Sequence, residues 1–294
     1  MSHTPLGTLF VVATPIGNLS EISPRTRETL SRVAVVAAED TRRSGMLLAH
    51  MALKKPMISL HKFNERSRLE ELTAVLERGE DLALVSDGGT PAISDPGYRL
   101  VAQAHAIGAP VRAVAGPSAV VAALCVSGLP ADRFSFVGFL PSRAAERRAL
   151  LPELATRSET LVIYEAPHRL VAAVADLATQ FGSRQVVLCR ELTKLHEEVH
   201  RSTLPQLAES VASRESILGE CVLVIAGAEP SNALAPTLEE EDAATLRAFA
   251  LALQAEQGDA RRACARLARQ TASPRRDVTS RLRALGALGE DADR

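Results

Sequence analysis

The chain has 294 residues, of which 46% are hydrophobic and 23% charged, and its formal net charge is −1. A chain of this length can hold two modest domains, each with a core of its own. The near-neutral charge excludes a protein that is basic over its whole surface, so any contact with nucleic acid must use a local patch.

The first part of the chain alternates short apolar runs with helical patterns. Between two of these runs, residues 65–78 place Leu69, Leu72, Val75 and Leu76 on one helical face. Strands that alternate with helices are typical of parallel βαβ units. We therefore predict an α/β domain over residues 1–116, with strands at 8–13, 33–37, 56–60, 82–85 and 111–115.

A second set of elements follows. Residues 119–126 predict a buried helix, and residues 168–181 predict an amphipathic helix with one apolar stripe. We therefore predict a second α/β domain with a mixed sheet over residues 117–228, with strands at 134–139, 160–164, 185–189 and 220–226.

Residues 229–242 contain prolines and an acidic run and predict a linker. Residues 243–294 predict a small helical appendage. Between Arg261 and Arg283 there are eight arginines and one acid, Asp277. Two interpretations stay open: a solvated helical face, or a phosphate-binding appendage that resembles a helix-turn-helix.

The four cysteines are far apart in sequence, each in an apolar run, at Cys125, Cys189, Cys221 and Cys264. This spacing fits neither a zinc site nor a disulfide framework and favours reduced thiols in a cytoplasmic protein. The apolar run at 9–13 is too short for a signal peptide or a membrane span. We therefore expect a cytoplasmic protein without a membrane segment.

Four predicted strands of the first domain end in polar or glycine-containing turns, at 14–18, 39–43, 86–94 and 116–119. Each turn alone is more typical of a plain βα loop or a local ion pair. Parallel strands bring such loops to one edge of the sheet, where ligands of open α/β folds bind. The segment 86–94 (SDGGTPAIS) has no lysine and no P-loop spacing, and it suits a ligand held by main-chain groups.

The second domain also has polar residues after its apolar strands, at 164–170 (YEAPHRL) and 189–201 (CRELTKLHEEVHR). No pair of His or Cys has a convincing metal-ligand spacing, so no metal site is predicted. A serine hydrolase is disfavoured because the chain has no G-x-S-x-G turn.

Seven blocks, in order, carry a resemblance to a known family: TPIGNLSEISPRTRETL, AAEDTRRSGMLL, HKFNE, LVSDGGTPAISDPG, AGPSAVVAALCVSGLPADRFSFVGFLP, YEAPHRL and CRELTKLHEE. Over roughly residues 8–227 the chain resembles the bacterial small-subunit ribosomal RNA methyltransferases of type I, in the tetrapyrrole-methylase-like class. The resemblance implies two α/β domains with S-adenosylmethionine in the cleft between them, usually in a homodimer. It also implies methylation of the ribose 2′-hydroxyl of a cytidine in the decoding region of small-subunit RNA.

The resemblance and the chemistry of the donor together predict the site residues. A donor with a carboxylate, an adenine and a sulfonium suits backbone amides, apolar surface and nearby oxygens. We therefore expect the donor to bind at Pro15, Asp87, Gly88, Gly89, Thr90, Pro91, Ile93, Ser118, Ala119 and Tyr164, with Gly88 and Gly89 exposing their amides.

The acceptor hydroxyl is expected to be oriented or deprotonated by one of two clusters, Glu39, Asp40 and Arg42, or Glu191 and Lys194. An ordinary carboxylate is a weak base toward a ribose hydroxyl, and Lys194 would need a lowered pKa to act as one. RNA, in the assembled 30S particle, is expected to contact Arg143, Arg147, Arg148 and the C-terminal arginines.

Two rival functions remain. One is a methyltransferase of the same fold that acts on a small, tetrapyrrole-type molecule. The other is a ribosome-assembly factor that binds RNA without catalysis.

Overall fold

The computed structural model divides the chain into two compact units, residues 1–228 and residues 229–294. It describes residues 5–228, 238–256, 259–271 and 273–288. The larger unit holds two five-stranded sheets, and the smaller one holds helices.

The first sheet is parallel throughout, with the strand order β3-β2-β4-β1-β5. Its strands are β1 (Leu9–Val12), β2 (Val35–Ala38), β3 (Met57–Ser59), β4 (Leu82–Val85) and β5 (Val111–Val114). The five predicted strands coincide with these within two residues. Because β4 and β1 lie inside the sheet, their carboxyl-terminal loops lie next to those of β2 and β5.

Helices cover both faces of the first sheet. They are α1 (Pro24–Arg32), α2 (Thr41–His50), α3 (Glu65–Glu77) and α4 (Tyr98–Ala106). Successive side chains of β4 point to opposite faces of the sheet. Leu82 and Leu84 pack with α3 and α4, and Ala83 and Val85 pack with α1 and α2. Burial on both faces explains why β4 is a continuous apolar run rather than an alternating one.

The second sheet is mixed, as predicted, because only its first two strands are parallel. The strands are β6 (Phe134–Phe139), β7 (Thr160–Glu165), β8 (Gln185–Arg190), β9 (Glu198–Thr203) and β10 (Cys221–Ile225), in the order β6-β7-β10-β8-β9. Strand β9 was not predicted from the sequence. This strand lies at the sheet edge, none of its residues is buried, and it therefore lacks an apolar run.

The helices of the second sheet are α5 (Ala119–Ser127), α6 (Ala144–Ala155), α7 (Pro167–Phe181) and α8 (Leu204–Ala212). Helix α5 packs on one face, around Val120, Ala123 and Leu124. The other three pack on the opposite face. The chain passes from the first sheet to the second in the short connection between β5 and α5.

The smaller unit contains α9 (Leu238–Ala255), α10 (Ala260–Gln270) and α11 (Arg275–Ala284), packed around Phe249, Leu267 and Leu282. The predicted linker, 229–242, overlaps this unit: residues 229–237 lie outside the described residues, and 238–242 begin α9. Within the described residues, no helix has the length and apolar character that a membrane span requires.

Candidate active site

A cavity of about 550 Å³ lies where the carboxyl-terminal loops of the first sheet face the second sheet. One wall comes from the loops after β1, β2 and β4. The other comes from the start of α5 and from β6, β7, β10 and the loop after β8. The structure thus confirms the predicted fold of two α/β parts with a cleft between them.

The glycine turn after β4 is fixed by a two-residue bridge to the loop after β1. The N–H of Gly89 donates to the Thr14 carbonyl at 2.9 Å, and the N–H of Thr14 donates to the Gly89 carbonyl at 2.9 Å. The expectation that Gly89 exposes its amide is therefore wrong. In the described part of the chain the N–H of Gly88 has no hydrogen-bond partner, so Gly88 keeps a free donor beside the cavity.

The polar side chains of this turn join neighbouring loops. One Asp87 oxygen accepts from the backbone N–H of Asp40 at 3.0 Å, and the other lies 3.5 Å from the Arg43 guanidinium. The Thr90 hydroxyl donates to the Pro117 carbonyl at 3.3 Å. Both side chains line the cavity. Their hydrogen bonds and the ion pair connect three loops, those after β2, β4 and β5.

The next residues of the loop are held in unusual backbone conformations. Ala92 and Ser94 have φ angles of 68° and 64°, in the left-handed region that non-glycine residues rarely adopt. Such conformations cluster at functional sites, where surrounding structure enforces them. The loop turns Ile93 toward the cavity, whereas Pro91 is buried and does not line it.

The start of α5 and the end of β7 form the opposite wall. Ser118 is the N-cap residue of α5, but its hydroxyl makes no capping hydrogen bond and faces the cavity together with Ala119. Tyr164 packs edge-on against Phe136 and Phe139 at 4.9 and 5.5 Å. Burial, and then the negative charge of Asp95, raise the pKa of Tyr164 to about 12, so its hydroxyl stays protonated.

Two half-buried carboxyl groups on the cavity wall, Glu39 and Asp95, have raised pKa values. For Glu39 the main cause is burial, followed by the charge of Asp87. For Asp95, burial and then the charge of Glu39 raise the pKa to about 6, against the hydrogen bond to Ser86. No role was predicted for Asp95 from the sequence, although this residue directly follows the glycine-containing segment 86–94.

Lys194 extends from the loop after β8 to the loop after β1. Its ammonium lies 2.7 Å from Glu191 and 3.0 Å from Glu220, and a Cβ placed on Gly17 would meet its side chain at 2.4 Å. Burial alone would lower the pKa of Lys194, but the hydrogen bonds to the two carboxylates outweigh it and raise the pKa. Lys194 therefore lacks the lowered pKa that a base would need.

Asp40 and Arg42 do not line the cavity. Asp40 caps α2 by accepting from the Arg42 N–H, and its carboxylate also binds the Arg42 guanidinium at 2.8 Å. This hydrogen bond, together with the backbone N–H of Arg42, holds the pKa of Asp40 well below its usual range. Glu191 also lies outside the lining, where it binds Lys194 and caps the backbone N–H of Glu220.

The three arginines of the segment before and within α6 differ in their surroundings. Arg143 and Arg148 are exposed. Arg147 is 4% exposed, and its guanidinium lies 2.6 Å from Asp176 on α7. Its expected contact with RNA is therefore wrong, because a side chain buried in an ion pair cannot reach a phosphate.

The structure thus gathers most of the predicted donor-binding residues at one cavity. These are Pro15, Asp87, Gly88, Gly89, Thr90, Ile93, Ser118, Ala119 and Tyr164. Glu39 and Lys194, which were predicted to act on the acceptor hydroxyl, line the same cavity. Among the described residues, no group of three His, Cys, Asp or Glu side chains is placed to hold a metal ion.

A family model described as Tetrapyrrole (Corrin/Porphyrin) Methylases matches residues 8–208. A Pseudomonas aeruginosa protein named Ribosomal RNA small subunit methyltransferase I is 50% identical over 223 residues, 75% of this chain and 79% of the relative. A Synechocystis protein of the same name is 45% identical over 274 residues, 93% of this chain and 96% of the relative.

The solved structure of uroporphyrin-III-C-methyltransferase from Thermus thermophilus has a TM-score of 0.52 and 19% identity, covering 75% of this chain and 94% of that one. This likeness shows a shared fold. The family match and the two relatives go further, because they extend over most of the sequence. The chain therefore belongs to the tetrapyrrole methylase family and, within it, to the group of proteins named ribosomal RNA small subunit methyltransferase I.

Proposed function

We propose that this chain transfers a methyl group from S-adenosylmethionine to the ribose 2′-hydroxyl of a cytidine in the decoding region of small-subunit ribosomal RNA. The observation that carries the proposal is the identity of 45–50% with two proteins named for that RNA, over three quarters or more of the chain. The choice of hydroxyl and nucleotide follows from the motif resemblance in the sequence.

The cavity fits a methyl donor of this size and chemistry. A volume of about 550 Å³ is ordinary for a small-molecule site. The free N–H of Gly88 and the Ser118 hydroxyl, which makes no capping hydrogen bond, can bind polar groups of the donor. Ile93 and Tyr164 offer apolar surface. S-adenosylmethionine, when bound, supplies an electrophilic methyl group on a positively charged sulfur.

We assign proton acceptance to Asp95, with Glu39 as its neighbour. Transfer forms the bond between the ribose oxygen and the methyl carbon and breaks the bond between that carbon and sulfur, and the hydroxyl proton passes to a carboxylate. A pKa of about 6 makes Asp95 a better base than an ordinary aspartate while leaving it ionised at neutral pH. Alignment of the reacting atoms supplies a further and larger part of the acceleration, up to about 7–11 kcal/mol.

Lys194 has a positioning role in this proposal. The chain of contacts from Gly17 through Lys194 to Glu191 and Glu220 joins the loops of the two sheets across the cleft. Two carboxylates on the side of the second sheet hold the charged end of Lys194, and its aliphatic chain packs against Gly17 on the opposite wall. Glu191 itself has a φ of 52°, which indicates that this loop is held in a specific strained conformation.

RNA binding is proposed to use exposed arginines around the fold. Arg143 and Arg148 belong to the larger unit, and the exposed arginines of α10 and α11 in the smaller unit are Arg261, Arg262, Arg269, Arg275, Arg276, Arg281 and Arg283. Because few aromatic side chains are available for stacking on free strands, a structured 30S particle is the expected substrate. A bacterial ribosomal substrate implies a cytoplasmic location.

A homodimer is part of the proposal. Helix α5 buries one side against the second sheet and exposes Val121, Cys125 and Val126 on the other, with Val121 54% exposed. An apolar helix face of this kind is typical of a subunit contact. A second copy is the expected occupant, and light scattering on the purified chain measures the stoichiometry.

The test is to map 2′-O-methyl marks on small-subunit RNA from cells with and without this protein, and on 30S subunits incubated with protein and donor. One mark at a cytidine of the decoding region should depend on the protein. Methyl transfer to a tetrapyrrole in place of RNA would favour the small-molecule function. Binding of subunits without any binding of donor, measured by calorimetry, would favour the assembly factor.

A further inference from the structure

Phe63 lies almost entirely in solvent. Its side chain is 93% exposed, in a chain in which aromatic residues make up only 3% of the sequence. A solvated phenyl ring contributes nothing to the core, so packing does not explain its presence. A flat exposed ring is, however, what nucleobases of unpaired RNA stack on.

The loop that carries Phe63 is a hydrogen-bonded turn. The N–H of His61 donates to the Asn64 side chain at 2.7 Å, and the Asn64 amide donates to the Ser59 carbonyl at 3.1 Å. The N–H of Phe63 donates to the His61 ring at 3.2 Å, and the two rings meet edge-on at 6.2 Å. The backbone that carries the ring is therefore held by hydrogen bonds, which lowers the entropy cost of ordering this turn when a base binds.

The turn lies beside the candidate active site. Strand β3 pairs in parallel with β2, with Ser59 opposite Ala38, and the N–H of Leu60 donates to the Ala38 carbonyl. Glu39, on the cavity wall, follows Ala38 directly. Since neighbouring strands lie about 4.8 Å apart, the turn that carries Phe63 begins one strand away from the strand that leads to the cavity wall.

Two exposed cations lie close to the ring in sequence. Lys62 precedes the ring directly and Arg66 follows it by three residues; both are exposed, and among the described residues neither side chain has a hydrogen bond or ion pair. Free cations beside an aromatic platform match the two features of an RNA strand, its phosphates and its bases. An apolar protein partner would leave these cations without compensation.

We propose that Phe63 is a stacking platform for an unpaired nucleobase of the substrate RNA, adjacent to the methylated nucleotide, with Lys62 and Arg66 on the neighbouring phosphates. This inference rests on the proposed function and adds a positioning residue to it. The platform holds the strand so that the target ribose enters the cavity beside Glu39 and Asp95.

The experiment compares Phe63→Ala, Phe63→Leu and Phe63→Tyr in methylation of 30S subunits. Losing one stacked base should raise the KM for subunits about 5- to 150-fold. Leucine should behave as alanine does, because it keeps apolar area without a flat ring, and tyrosine should restore binding. The Kd for S-adenosylmethionine should stay at the wild-type value. Phe134→Ala is the matched control, since this exposed ring begins β6 at the end remote from Phe139 and the cavity.

Two results would overturn the platform. One is wild-type KM values in Phe63→Ala while the wild-type protein methylates subunits. The other is loss of an oligomer in Phe63→Ala, which would make the ring a subunit contact. A wild-type protein that binds subunits on filters but does not methylate them refutes the proposed function alone. Weaker filter binding of Phe63→Ala would then still support the platform, and unchanged binding would refute it.

Discussion

Replacing Asp95 by asparagine should make the protein more stable and less active. The carboxyl group has its pKa raised from 3.8 to about 6, mainly by burial and by the charge of Glu39. A shift of about two pKa units corresponds to a ceiling of about 3 kcal/mol at 1.36 kcal/mol per unit. Because Asp95 is only half-buried, solvent screening reduces this to about 1–2 kcal/mol.

The sign of the pH dependence follows from the direction of the shift. A carboxyl group whose pKa is higher in the folded state favours folding below its unfolded pKa, near 4, and this contribution is lost as the pH rises through about 6. The asparagine side chain carries no charge at any pH. Unfolding in urea should therefore show the Asp95→Asn variant gaining about 1–2 kcal/mol over the wild type between pH 4 and pH 8.

The same variant should lose methyl transfer. Single-turnover rates at saturating donor and subunits should fall by about 10²- to 10⁴-fold at pH 8, and the wild-type rate should rise as the pH passes the pKa of Asp95, which is about 6 before the donor binds. Asp132→Asn is the control, because this aspartate is exposed in the loop before β6. A variant rate within twofold of wild type would remove Asp95 as the base. A stability difference that does not change with pH would refute the charged environment from which the role was argued.

Three further substitutions test the surrounding structure. Arg147→Ala should lower the free energy of unfolding by about 3 kcal/mol, because it leaves Asp176 unpaired in a largely buried place. An unchanged melting temperature together with weaker binding of subunits would contradict this. Gly97→Ala should cost about 1–3 kcal/mol, since its φ is 126° and a Cβ would lie 2.5 Å from Leu84; urea unfolding measures it. Lys194→Met should raise KM values but keep the pH dependence of the rate, and loss of that dependence would show that Lys194 carries the titrating proton.

Sequence patterns predicted nearly all the strands of both sheets because most of them are short apolar runs, and a strand buried on both faces is a continuous one. The pattern of β4, with Leu82–Val85 all buried, is an example that can be read directly from the sequence. The failure at β9 has the same origin. An edge strand needs only backbone pairing to β8, so its side chains carry no apolar signal.

The candidate site was predicted at the level of loops and less well at the level of atoms. Convergence of strand ends follows from parallel pairing, so Gly88, Ser118 and Glu39 met as expected. The use of each polar group depends on long-range contacts that a linear pattern does not contain. The N–H of Gly89, for example, pairs with Thr14, which lies 75 positions earlier in the sequence.

Charge was the least predictable property for the same reason. Arg147 and Arg148 are neighbours in sequence, yet one is buried against α7 and the other is exposed. Asp40 follows Glu39 directly, yet an arginine lowers the pKa of one while burial raises the pKa of the other. In both pairs the decisive partner is set by the direction in which a helix or strand turns the side chain.

The acidic character of the cavity links donor binding to proton acceptance. Glu39, Asp87 and Asp95 all line it, and their mutual repulsion contributes to the raised pKa values of Glu39 and Asp95. A cationic ligand relieves that repulsion, because an opposite charge nearby favours the ionised carboxyl. By linkage, a ligand that favours the ionised form must itself bind more tightly when that form is populated. A positively charged donor thus gains affinity from the carboxylates and favours an ionised Asp95 when the acceptor hydroxyl arrives. A neutral ligand would not relieve the repulsion among the carboxylates, and an anionic ligand would add to it.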